Sequence, residues 1–124
     1  MVDVKYEKVE NVFEAHGIEV PPSEKSDNEE NPLVVAHFFS KVVIEGCPRP
    51  LDAHWFVIGG EQIELACGEN EYMRDWHLFG LANIVCKELG YFTLSQILNL
   101  GAELDENWTP KGVYDIYEDF DLRR

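Results

Sequence analysis

The chain has 124 residues, 45% of them hydrophobic and 12% aromatic, which suits one globular domain with a real core and excludes a disordered polymer. Its 24 acidic residues against 10 basic ones give a net charge of -14. That balance excludes a protein that tracks phosphates along nucleic acid, which needs a basic stripe to displace counterions, and it argues equally against an anionic membrane surface. A basic protein partner is the complement such a charge favours. The 3 cysteines, Cys47, Cys67 and Cys86, form an odd set with no CxxC pair, so a reducing, cytoplasmic setting is expected and a disulfide framework is not. The charged first residues contain no apolar core of a secretory signal, and no apolar run reaches membrane-spanning length.

Val4 to His16 is expected to form a first helix, with Val9, Val12 and Phe13 on one side and Gly17 as its stop. Pro21 and Pro22 open the polar, acidic stretch SEKSDNEENP. The chain is therefore expected to divide into a helical appendage (1–20), a flexible acidic linker (21–32), a single α+β domain (33–118) and a tail (119–124). Leu33 to Ser40 is rich in β-branched and aromatic residues and reads as the first strand. Gly46 to Asp52, with Pro48 and Pro50, reads as a loop. Ala53 to Ile58 is the expected second strand and Gly59-Gly60 its hairpin turn. Gln62 to Cys67 alternates polar and apolar residues as a half-buried strand does, and Gly68 to Asp75 reads as an acidic loop.

The stretch from Trp76 to Ile97 carries the clearest local signals. Trp76, Leu78, Phe79 and Leu81 suit a strand, and Gly80 within it marks a bulge or a close backbone approach. Tyr91-Phe92 is a second short strand. Thr93 then stands at a helix N-cap with Gln96 three residues on, the spacing of a capping box, and Leu94, Ile97 and Leu98 face inward. Val113 to Tyr117 reads as a closing strand. The pattern predicts an α+β fold, with a mainly antiparallel sheet of about five to six short strands and a helix after the ELGYFTL run.

The run WHLFGLANIVCKELGYFTLSQI resembles the domain of unknown function 2958 family, small domains encoded on plasmids, conjugative elements and phages. The residues that carry the likeness are Phe79-Gly80 and Glu88-Leu89-Gly90-Tyr91-Phe92-Thr93-Leu94. Weaker likenesses lie at Ala36-His37-Phe38-Phe39, Trp55-Phe56-Val57-Ile58 and Val113-Tyr114-Asp115-Ile116-Tyr117. The N-terminal helix with its acidic linker, and the length of the segment from Glu61 to Asp75, depart from the family pattern. The resemblance implies a mobile genetic element as the setting, and it brings no activity or catalytic residues with it.

Motifs that carry chemistry are sparse. His37, His54, His77 and the three cysteines show no short-spaced ligand pair, so no metal is expected, and no cofactor or catalytic residue is assigned. His37 and His54 sit in apolar strands and read as hydrogen-bonded sheet histidines. No glycine-rich elbow surrounds a serine and no phosphate-cradling loop is present. Glu88, beside a glycine turn, reads as a carboxylate that accepts from turn amides.

The expected function is a non-enzymatic binding module docking a basic, nucleic-acid-handling partner, in its sharpest form a DNA mimic or anti-defence factor. The candidate partner-binding residues are Glu69, Glu71, Asp75, Asp115, Glu118 and Asp119, with Trp108 as an exposed anchor. The alternative is a small hydrolase or ligand-binding enzyme with a pocket near Glu88, His77 and Cys86.

Overall fold

The computed structural model describes residues 12–23, 31–69, 71–84 and 86–117, and at 65, 67 and 71–73 it describes the backbone alone. Its spine is one long antiparallel hairpin, β3 (Leu51–Gly68) against β4 (Glu71–Asn83), joined at a tip around Glu69. β2 (Ala36–Val42) and the short β6 (Glu103–Leu104) extend the sheet on one side, and β5 (Lys87–Thr93) extends it on the other. The order β5-β4-β3-β2-β6 is antiparallel throughout. A second, two-stranded sheet pairs β1 (Leu33–Val34) with β7 (Lys111–Gly112). The α+β class holds, with a mostly antiparallel sheet and short helices.

Both faces of the large sheet are covered, because successive side chains point to opposite sides. On one face Phe38, Trp55, Val57 and Leu78 meet Phe13, Leu94, Ile97 and Ala102 in the main core. Phe13 lies in helix α1 (residues 12–15) and packs edge-on against Phe38 at 6.0 Å and Trp76 at 5.0 Å. The following segment crosses the sheet: Gly60 N–H donates to the Pro21 carbonyl, and the Ser23 amide and hydroxyl both donate to Glu61. Residues 12–23 are therefore docked on the sheet. The start of the expected helix, and residues 24–30 of the expected linker, lie outside the described residues.

On the other face Phe56, Ile58, Phe79 and Leu81 are covered by Val34, Val113, Trp108, Ile116 and Tyr117. Helix α2 (Leu94–Asn99) starts at Thr93, whose hydroxyl accepts from the Gln96 amide at 3.2 Å while the Gln96 side chain accepts from the Thr93 amide at 3.0 Å. This reciprocal cap satisfies two free donors of the first turn.

Four expectations are corrected. Gly59-Gly60 is not a hairpin turn: β3 runs through it, with a register shift between Val57 and Gly59. A Cβ at Gly60 would stand 2.7 Å from the His77 carbonyl oxygen, so the small residue answers to strand approach rather than to a turn. Gly80, opposite Val57, is of the same kind, since a Cβ there would overlap the Phe56 carbonyl. The acidic loop from Gly68 to Asp75 is strand from Glu71 onward, because the length of β3 gives it a partner. Leu33 to Ser40 is two strands broken at Val35, β1 turning to β7 while β2 stays with β3. The closing strand from Val113 to Tyr117 is instead helix α3 (Val113–Ile116). There Asp115 accepts from the Gly112 amide and Asn31 accepts from the Tyr114 amide, and Val113, Ile116 and Tyr117 share one inward face.

Candidate functional site

Two features meet on the flank formed by β2, β6 and the loop after it. The first is a chain of three polar side chains. His37 lies opposite Phe56 in the β2–β3 register, and His54 lies opposite Phe39, so the two histidines are diagonal neighbours on one face. His37 stacks on Phe56 at 4.7 Å with its ring planes 10° apart. Its Nδ1 is 3.0 Å from Asp105 Oδ2 and its Nε2 is 3.0 Å from His54 Nδ1. An ionised carboxylate only accepts, so His37 Nδ1–H donates to Asp105, His37 Nε2 accepts, and His54 Nδ1–H donates. That assignment follows from hydrogen-bond chemistry and puts His54 Nε2 at the end of the chain.

Asp105 is held by more than the imidazole. Its amide donates to the His37 carbonyl at 2.8 Å and its Oδ1 accepts from the Asn107 amide at 3.1 Å. The hydrogen bond from His37 keeps the Asp105 carboxyl below its usual range. Burial lowers the His37 pKa and outweighs the opposing pull of Asp105, with His54 and Lys111 adding to the lowering. The pair is therefore a neutral imidazole beside a carboxylate near neutral pH. The far end of the chain borders a shallow hollow of about 380 Å³ lined by Phe39, Lys41, Asp52 and Glu103.

The second feature is a groove of about 440 Å³ where residues 16–19, β1 and the 104–110 segment meet. Ile18, Leu33, Val35, Leu104 and Trp108 supply its apolar wall, and His16, Glu19, Asp105 and Glu106 its polar rim. Trp108 is fixed there by its indole N–H, which donates to the Val34 carbonyl at 3.0 Å. One side of the ring meets His37 at 5.2 Å, and Lys111 Nζ sits 4.6 Å from its centre. His16 has acceptors on both nitrogens, the Val12 carbonyl at 2.9 Å and Glu106 at 3.2 Å. Filling both contacts needs two N–H donors, so the site favours the imidazolium. The His16 pKa is accordingly raised, by the Val12 carbonyl first and Glu106 second.

The residues expected to bind a partner do not gather in one place. Glu69 is exposed near the hairpin tip and Asp115 is exposed on α3. Glu71 begins β4, and Glu118 and Asp119 lie outside the described residues. Asp75 is not a surface loop carboxylate: it is 1% exposed and accepts from the Trp76 amide, the Ser95 amide and the Ser95 hydroxyl. Trp108 is a half-buried wall residue rather than a free anchor, because its N–H and its ring both have partners within the fold. Of the run that carries the family resemblance, Phe79 is buried against the β1–β7 side and Gly80 is the close approach. Leu89, Gly90 and Phe92 are half-buried, Glu88 is exposed, and Tyr91 is exposed with its ring stacked on His77 at 4.9 Å.

The three groups proposed for an enzyme pocket also fail to converge. Glu88 pairs with Ala82 and lies 3.7 Å from Cys86 Sγ. His77 stacks with Tyr91 on the opposite face of the same strand pair. Among the described residues no group of three His, Cys, Asp or Glu side chains stands close enough to hold a metal ion, and no helix is long and apolar enough to cross a membrane.

The sequence reading missed the Asp105–His37–His54 chain and the groove. A signal was present in the paired triplets Ala36-His37-Phe38 and Ala53-His54-Trp55, each a histidine on the polar phase of an apolar strand. Nothing local marks Leu33, Ile18 or Glu106 as neighbours. Set against known proteins, the chain matches no family model, no curated protein and no solved structure.

Proposed function

We propose that this chain is a non-enzymatic protein-binding module whose acidic surface docks a basic partner, one that itself handles nucleic acid. The observation that carries the reading is the charge of the described surface. Exposed carboxylates, among them Glu14, Glu19, Glu45, Glu69, Glu88, Glu103, Glu106 and Asp115, outnumber the exposed cations. Two of those cations are already beside acids, Lys41 at 3.7 Å from Asp52 and Arg74 at 3.7 Å from Glu64. The remaining field is negative and is displayed mostly on the turns, loops and short helices around the sheet, where it is open to a cationic surface.

A mobile-element setting, implied by the resemblance to the domain of unknown function 2958 family, would make a host nuclease or transcription protein the natural target. The carboxylates would then take the place of DNA phosphates in its channel. A hydrolase centred on Glu88, His77 and Cys86 draws no such support, since the β4–β5 register turns His77 away from the other two.

The test is capture of partners from bacterial lysate by the purified chain, washed at low and then high salt (about 0.05 and 0.5 M, between which surface charges become screened). A basic nucleic-acid-handling protein held at low salt and released at high salt is the expected result. Empty captures at both salts overturn the reading.

A further inference from the structure

We infer that the groove between Ile18, Leu33 and Trp108 is the docking site for the basic partner, and that its occupant is a short arginine- or lysine-rich segment carrying one apolar anchor. The inference rests on the function proposed above and says where on the surface, and by what chemistry, that function is carried out.

The wall of the groove is apolar, open and rigid. Leu33 is 48% exposed on a two-residue strand whose other residue, Val34, is fully buried, so the lip cannot fold inward to hide it. Trp108 is tied to the carbonyl of that same Val34. An apolar surface held open by its own backbone is available to a ligand side chain, and a space of about 440 Å³ suits a short segment rather than a folded domain. The rim then selects the charge of that segment. Glu19, Asp105 and Glu106 all border the groove, and the Trp108 ring, on which Lys111 rests outside the groove lining, is of a kind that attracts a cation.

Protons compete with such a ligand. Glu106 is bonded to His16 and Asp105 to His37, so two of the three rim carboxylates carry an imidazole that can neutralise them. His16 is faced by Glu106 and the Val12 carbonyl, and Glu19 and Asp105 line the same groove. His37 is faced by Asp105 from the loop after β6, by His54 from β3 and by Lys111 from β7. As pH falls, His16 gains its charge first and His37 later, and each gain removes attraction for a cation.

The experiment is fluorescence anisotropy of a labelled peptide of arginines flanking one leucine, titrated with the full chain at low salt. Arginine keeps the ligand charge constant across the pH range. Saturable binding is expected, weakened about five-fold or more when serine replaces the peptide leucine, and similarly by Leu33→Ser in the protein. Glu106→Gln, at a side chain 74% exposed whose contact with His16 is at the surface, should weaken binding about two- to five-fold. Binding should be weaker at about pH 6 than at about pH 8.5, and His16→Gln should flatten that dependence.

Equal binding of the leucine and serine peptides, or of the Leu33→Ser protein, would mean diffuse charge attraction and overturn the groove. So would a concentration-dependent oligomer that Leu33→Ser abolishes, since the groove would then hold a second copy of the chain. Lysate capture separates this inference from the reading beneath it. Groove variants that still capture the basic partner refute the groove alone, whereas captures that are empty even for the unaltered chain refute both.

Discussion

Asp75 accepts three hydrogen bonds on one carboxylate, from the Trp76 amide at 2.7 Å, the Ser95 amide at 3.1 Å and the Ser95 hydroxyl. It joins β4 to the first turn of α2, and its side chain is shut from water. Its position among the acids Glu69, Glu71 and Asp75 suggests a partner-binding surface, and the two roles make opposite predictions. A surface acid changed to alanine alters stability within about 0.5 kcal/mol, whereas stripping a buried acceptor from three donors costs about 2–4 kcal/mol. Asp75→Ala is expected to lower the urea midpoint by the larger amount, with the m-value unchanged. A midpoint equal to that of the unaltered chain would return Asp75 to the surface role. The same scale explains His37. Its position between large apolar residues allows only a hydrogen-bonded ring, yet which groups bond it depends on Asp105, 68 residues away.

At the scale of elements, local chemistry and tertiary pairing divide the structure between them. Helix α2 is only six residues long, too short to stand alone in water, so it depends on its cap and on burying Leu94 and Ile97. Thr93→Ala removes the side-chain acceptor for the Gln96 amide and should cost about 1 kcal/mol in equilibrium unfolding. Serine at the same position should restore most of it, and a full loss with serine would mean that the threonine methyl, not the cap, stabilises the helix. The capping box was legible because it is written within four residues. The long hairpin was not, because Gly59-Gly60 carries the composition of a turn, and only the approach of the β4 backbone distinguishes a strand glycine from a turn glycine. Helix α3 was obscured for a related reason: Val113-Tyr114-Asp115-Ile116-Tyr117 has the β-branched and aromatic composition of a strand. Its choice was made by Asn31 and Asp115 closing its first turn.

For the whole molecule, stability must depend on pH through the chain of groups behind the groove. His37 has a folded pKa below its ordinary 6.5, so the folded state binds fewer protons than the unfolded one. Its contribution is complete above 6.5 and is lost as pH falls through the depressed folded value. Asp105, depressed from 3.8, adds a second loss at lower pH still. His16 has the opposite sign: its raised pKa gives a contribution present below 6.5 and lost as pH rises through the folded value, and contact with solvent keeps that contribution small. Thermal melts from pH 7.5 downward should therefore show a falling midpoint that begins near 6.5 (the ordinary value for His37) and steepens toward acid. His37→Asn should lower the midpoint at neutral pH and flatten the first part of that fall. A fall as large in His37→Asn as in the unaltered chain would mean that His37 is not the group responsible.

Read alone, the residues determine that this is an α+β chain of strongly negative charge, with an antiparallel sheet and a capped helix after Thr93. Those properties come from composition, from side-chain alternation and from contacts within a few positions of one another. Tertiary structure alone decided which acids are surface and which are core, because burial of Asp75 depends on Ser95 and on the length of β3. It also decided the groove, since Ile18, Leu33 and Trp108 come together only when residues 12–23 cross the sheet and β1 leaves β2 to pair with β7. The physical reason is range. A cap or an alternating strand is stabilised by its neighbours in the chain, whereas a rim of carboxylates around an apolar wall exists only where distant segments exclude water together.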